Sequence, residues 1–203
     1  MLAATAGLLV SGCGSGARQD THEPKGAYTV RIVKASFPVL QSIARPTFMK
    51  LQVRNTSAKT VPNLAVTIDS FSYVENFAGL AANKRPIWVV EQGPGTVPKR
   101  LVQSQVLSPP GGGQTAYVNT WALGPLAPGH VRTFLWRVVP VKSGPHVVHF
   151  TIAAGLAGNA RAQLANGAAV TGRFIVHVAP QPPPKHVDPN TGQIVPGAFP
   201  VTP

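Results

Sequence analysis

Apolar side chains recur at every second position in one segment of this chain after another, and a period of two is the period of a β-strand. Tyr28, Val30 and Ile32 alternate with Thr29 and Arg31, and Met49, Leu51 and Val53 alternate with Lys50, Gln52 and Arg54. Leu64, Val66 and Ile68 repeat the pattern, followed by Phe134, Trp136 and Val138, then Val148, Phe150 and Ile152, then Phe174, Val176 and Val178. Successive side chains of a strand point to opposite faces, so each run has one face to bury and one to leave in water. The runs are rich in β-branched and aromatic residues, which pack well on a pleated surface. Between them stand Arg45-Pro46, Asn55-Thr56-Ser57, Pro62-Asn63, Ser143-Gly144-Pro145 and Asn166-Gly167, residues that favour chain reversal. No segment carries a long helical period. Several short antiparallel strands over roughly 150 residues predict an all-β fold, a sandwich of two sheets.

With 44% hydrophobic residues in 203, the chain can build a core, and 12% charged residues suits an exported β-domain rich in Gly and Pro. Its single cysteine, Cys13, allows no internal disulfide. Hydrophobic burial and strand pairing must therefore hold the domain together.

The segment Met49-Lys50-Leu51-Gln52-Val53-Arg54-Asn55-Thr56-Ser57, followed by Val61-Pro62-Asn63-Leu64-Ala65-Val66-Thr67-Ile68, resembles the start of bacterial immunoglobulin-like domains of the CARDB type. In those domains one strand carries V-x-N-x-(S/T) before a turn. Leu126-Ala127-Pro128-Gly129 is similar to their L-x-P-G turn, and Gly144-Pro145-His146-Val147-Val148 to their G-x-(H/Y)-x-V strand start. The resemblance covers roughly residues 50–150 and implies an immunoglobulin-like antiparallel β-sandwich; it carries no catalytic implication. The chain departs from simple members of that family between Val74 and Trp121, where a long inserted loop or ribbon, about residues 76–120, is expected. It also lacks the cysteine pair of antibody-type domains.

At the N-terminus, Val10-Ser11-Gly12-Cys13 resembles the lipobox of bacterial lipoproteins. The run Leu2 to Gly12 is too short to span a bilayer and long enough for the apolar part of an export signal. The resemblance implies a signal peptide over 1–12, cleavage between small residues, and lipid attachment at the Cys13 thiol. Residues 13–26, small and polar, then read as a flexible tether, 27–179 as the sandwich, and 180–203 as a proline-rich tail, either a spacer or disordered. The expected location is the extracytoplasmic face of the cell membrane.

Eighteen Lys and Arg stand against 6 Asp and Glu, a formal net charge of +12. Such a surface favours polyanions, or is simply solvated. Near an envelope, the anionic partners would be phospholipid headgroups, acidic polymers or another envelope protein. The basic residues are scattered, with only Lys84-Arg85 and Lys99-Arg100 adjacent, and no nucleic-acid motif accompanies them. Binding residues concentrate on loops of rigid scaffolds. Lys84, Arg85, Trp88, Lys99 and Arg100 in the insertion are therefore the candidate partner-binding set, a cationic patch with an aromatic face. The competing reading has Trp88 and Trp121 plugging the end of the sandwich.

Catalytic motifs are missing: no Gly-x-Ser-x-Gly elbow, no His-Glu-x-x-His, no phosphate loop, and no close carboxylate pair among the 6 acids. His146 and His149 fall on opposite faces of a strand, while His149 and His177 could meet across neighbouring strands; with no third ligand in view, no metal or cofactor is expected. Asn55-Thr56-Ser57 matches a glycosylation acceptor but reads first as a turn. The expected function is a lipid-anchored, non-catalytic binding, adhesive or structural module. The alternative is an accessory subunit or divergent enzyme acting on envelope glycans, built on carboxylates such as Asp69, Glu75 and Glu91. A two-lobed solute-binding lipoprotein is disfavoured by the missing α/β alternation.

Overall fold

Every alternating run becomes a strand with its apolar set turned inward. The computed structural model describes residues 22–72, 86–94, 115, 119–182 and 184–197. In chain order the strands are β1 (Gly26–Ser36), β2 (Leu40–Ser42), β3 (Thr47–Asn55), β4 (Ala65–Ile68), β5 (Phe71–Ser72), β6 (Trp88–Gln92) and β7 (Thr120–Ala122). They continue with β8 (Val131–Pro140), β9 (Gly144–Ala153), β10 (Ala160–Gln163), β11 (Val170–Ala179), β12 (Lys185–Val187) and β13 (Ile194–Pro196). One sheet has six strands in the order β10-β1-β3-β8-β6-β5, the other five in the order β2-β11-β9-β4-β7.

Between the sheets lies one continuous core. Met49, Leu51 and Val53 of β3 and Phe134, Trp136 and Val138 of β8 face Val66, Ile68, Val148, Phe150, Ile152, Val176 and Val178 from the other sheet, all buried. Phe71 is an aromatic hub, with edge contacts to Phe37, Trp88, Trp121 and Trp136 at centroid distances of 6.0–6.3 Å. Edge-on packing of this kind adds to simple area burial. Gly172 has a special place: a Cβ there would collide with the Phe150 ring, which closes over the bare backbone opposite it.

The expected antiparallel sandwich forms, with one difference at its margins. The pairs β1·β10, β2·β11 and β5·β6 are parallel, and each places a short strand at a sheet edge. All three edges arise because the chain hops between sheets, from β1 to β2 through Phe37-Pro38-Val39, from β4 to β5 through Asp69-Ser70 and from β9 to β10 through residues 154–159. Short edge strands also offer little template for unwanted pairing.

The insertion is not wholly outside the sandwich. β6 lies inside the six-stranded sheet, paired with β8, and buries Trp88 and Val90. At the tether, Glu23 is part of the fold: its carboxylate accepts hydrogen bonds from the backbone N–H groups of Leu156, Ala157 and Ala160 at 2.6–2.7 Å. Within the tail, β12 and β13 form a small hairpin whose Val187 and Ile194 stay exposed, so pairing occurs there without a buried face.

Candidate contact surfaces

The two motif segments that carry the family resemblance meet at one side chain. Asn55 ends β3, is fully buried, and donates from Nδ2 to the carbonyls of Lys59 and Leu126, both at 2.8 Å. Its Oδ1 accepts from the Ser57 N–H and hydroxyl, closing the turn. The Leu126-Ala127-Pro128-Gly129 turn is then locked by Gly129 N–H to Asn55 O and Asn55 N–H to His130 O, with Gly129 at φ +75° supplying the left-handed residue. Asn55 is thus a structural brace, which fits the turn reading of Asn55-Thr56-Ser57.

Trp88 corrects the loop-patch expectation. It is fully buried, packs on Phe37 and Phe71, and meets the His146 ring edge-on at 5.6 Å. Its indole N–H donates to Gln41 Oε1 at 2.7 Å, and Gln41 Nε2 donates in turn to the Pro38 carbonyl, pinning the β1-to-β2 hop. An indole of this size gains more from the core than from solvent, so Trp88 has no free face for a partner. Trp121 is buried likewise, as the plug reading anticipated. Lys84, Arg85, Lys99, Arg100 and Cys13 lie outside the described residues.

The basic residues that look scattered in the sequence converge on the outer face of the six-stranded sheet. Strand alternation turns Arg31 and Lys34 of β1, Lys50 and Arg54 of β3 and Arg161 of β10 outward, while their neighbours fill the core. Arg31 stands directly opposite Arg54, Lys34 opposite Gln52, and Ser36 opposite Lys50. Like charges facing each other across strands are destabilising. Among the described residues none of these five cations has an ion-pair partner. Arg137, further along the same face, is paired at 3.0 Å with Glu91, which the β6 bulge presents to it. Phe48 and Val131 on this face are 52% and 40% exposed, and Val33 at the β1 bulge is exposed as well.

The outer face of the five-stranded sheet has another character. Thr120, Thr67, Thr151 and Thr171 form a row across β7, β4, β9 and β11, with Thr67 and Thr120 hydroxyls 2.9 Å apart. Next comes His149, whose Nδ1 and backbone N–H both contact Asp69, at 2.9 and 3.0 Å. Val147 pairs with Ile175, and Leu40 with His177 beside a shallow cleft of about 490 Å³ lined also by Gln41, Arg45 and Pro145. Arg173 is the only Lys or Arg among the described strand residues of this face.

His146 and His149 do point to opposite faces, one onto Trp88 and one outward. His149 and His177 stay apart, since their strand partners are Arg173 and Pro145. Among the described residues no group of three His, Cys, Asp or Glu could hold a metal ion. The described carboxylates have separate partners. Glu23 caps a loop, Asp188 accepts from the Asn190 N–H in the tail turn, and Asp69 and Glu91 sit on opposite sheets, each with a basic partner. Glu75 lies outside the described residues.

No protein-family profile matches the sequence, and no curated protein does. Solved structures that resemble it include the CARDB domain of a Pyrococcus furiosus protein in complex with di-metal ions, 14% identical over 76% of this chain and 94% of that one, with a TM-score of 0.41. The Escherichia coli alpha-2-macroglobulin fragment from domain MG7 to the C-terminus is 16% identical over 82% of this chain and 21% of that one, TM-score 0.41. A Salmonella alpha-2-macroglobulin mutant is 15% identical over 74% of this chain and 7% of that one, TM-score 0.40. The likeness is one of β-sandwich layout, and no ligand or activity is carried from these proteins to this chain.

Proposed function

We propose that this chain is an exported protein, anchored by lipid at Cys13, whose immunoglobulin-like sandwich works at the cell envelope by contact rather than by chemistry. The observation that carries the non-catalytic part is the use made of the carboxylates. Glu23, Asp69, Glu91 and Asp188 are each engaged in bracing a loop, a strand hop, a bulge or a turn. General acid–base work on glycans needs two carboxyl groups flanking one bond, within about 10 Å of each other. Asp69, on the β4-to-β5 hop, is held by His149, and Glu91, at the β6 bulge, by Arg137, so each is committed to a different partner.

The anchoring part rests on the lipobox resemblance and is supported by the way the fold receives the tether. Glu23 fixes the chain just ahead of β1, so residues 14–22 alone separate the Cys13 position from the folded domain. Mass measurement of the N-terminal peptide from a membrane fraction of the native host tests it. A diacylated Cys13 is expected; an unmodified peptide still carrying Met1 overturns the export reading. Cross-linking in intact cells then identifies the partner, with an anionic envelope polymer or another envelope protein expected among the neighbours.

A further inference from the structure

We propose that the outer face of the six-stranded sheet docks flat onto an anionic lipid bilayer, with Arg31 and Arg54 at its centre. The proposal rests on the reading of an anchored envelope protein and names the surface and the partner that the reading leaves open.

Four observations point the same way. Arg31, Lys34, Lys50, Arg54 and Arg161 share one face and have no counter-charge among the described residues. The direct Arg31–Arg54 opposition works against sheet stability, so the pair needs a reason outside the fold. Arg31, Lys34, Arg54 and Arg161 are exposed on a pleated sheet face, whereas small molecules are held in concave sites. Phe48, two residues from Lys50, and Val131, opposite Arg54, flank the cations on the same face, an arrangement that suits the headgroup boundary of a bilayer and adds nothing against a hydrated polymer.

The tether strengthens the case. It enters at the start of β1, a strand of this same face, and residues 14–22 span at most roughly 30–35 Å when fully extended. A lipid at Cys13 would therefore keep the face within reach of the leaflet at high effective concentration. Each Lys or Arg brought to an anionic surface adds about a fivefold gain in partitioning. The five-stranded face also exposes apolar side chains, Leu40, Val147 and Ile175, but among the described residues sets fewer cations beside them, Arg173 on β11 and Arg45 at the cleft next to Leu40. Charge therefore selects the six-stranded face for the membrane and turns the threonine row and the cleft outward.

The test uses the full chain with Cys13→Ser, so that the face is measured without the lipid, and phosphatidylcholine vesicles with or without about one third phosphatidylglycerol. Co-sedimentation with the anionic vesicles only is expected, weakening as salt rises. The double variant Arg31→Gln/Arg54→Gln should lose about 25-fold in partitioning. Its unfolding midpoint should stay the same or rise, which separates lost docking from lost folding. Equal partitioning to both vesicle types overturns the proposal, as does a double variant within twofold of the parent. Loss of binding in Lys99→Gln/Arg100→Gln with none in Arg31→Gln/Arg54→Gln would move the surface to the insertion. Capture of soluble polyphosphate without vesicle binding would replace the membrane with an anionic polymer. None of these results bears on whether native Cys13 is acylated, so this proposal and the anchoring can fail separately.

Discussion

The two sheets turn nearly interchangeable faces toward each other and very different faces outward. Inward, both offer alternating apolar residues, Val, Phe and Trp among them, interrupted in the six-stranded sheet by the bulges of β1 and β6. Outward, the six-stranded sheet presents five cations with no ion-pair partner among the described residues, while the five-stranded sheet presents a row of threonines, a histidine–aspartate pair and an aliphatic strip ending at a cleft. The same period of two generates both sets. What the core needs fixes one residue in two, and the other residue is free to record what the protein meets, so the outward set is where function is read.

Substitutions separate the two sets by size of effect. Trp88→Ala should cost about 3–5 kcal/mol, because it removes a buried indole from the aromatic cluster and leaves Gln41 without its donor. Urea unfolding measures it, and a cost under about 1 kcal/mol would put Trp88 back in a surface patch. Asn55→Ala should cost about 1–3 kcal/mol, since the buried Leu126 carbonyl loses its side-chain donor and the turn its brace. Rescue by Asn55→Asp is not expected, for a carboxylate cannot donate to two carbonyls.

Outward changes should be smaller. Asp69→Asn should cost about 1 kcal/mol or less, as expected of an exposed polar contact, with Asp69 49% and His149 61% exposed. Arg31→Gln should raise stability by about a few tenths of a kcal/mol by relieving its opposition to Arg54. A clear loss of stability in Arg31→Gln would mean that the guanidinium supports the fold, and the contrast between faces would lose its functional meaning.

Much of this was legible in the residues. All six alternating runs give strands with the expected inward sets, Asn166-Gly167 is a turn with Gly167 at positive φ, and at Ser143-Gly144-Pro145 the chain reverses just before, with Gly144, at positive φ, already opening β9. The V-x-N-x-S and L-x-P-G segments are joined through Asn55. Other parts were hidden for physical reasons. β6 follows a long connection and is too short to show alternation strongly, so Trp88 read equally well as loop or core. The parallel edge pairs depend on chain hops that leave no local signature. The basic face was available in principle, for Arg31, Lys50 and Arg54 are the polar members of the alternating runs. Register was the missing step, since only pairing of β1 with β3 places Arg31 beside Arg54.

The most direct measurement places one fluorescent probe on each outer face of the Cys13→Ser chain, at Gln52→Cys on β3 and at Thr151→Cys on β9, and follows both as anionic vesicles are added. Gln52 lies between Lys50 and Arg54, and Thr151 in the threonine row of the other sheet. A shift to an apolar, quencher-protected environment at position 52, with position 151 unchanged, is the result the account predicts. Equal shifts at both positions, or a shift at 151 alone, would contradict it.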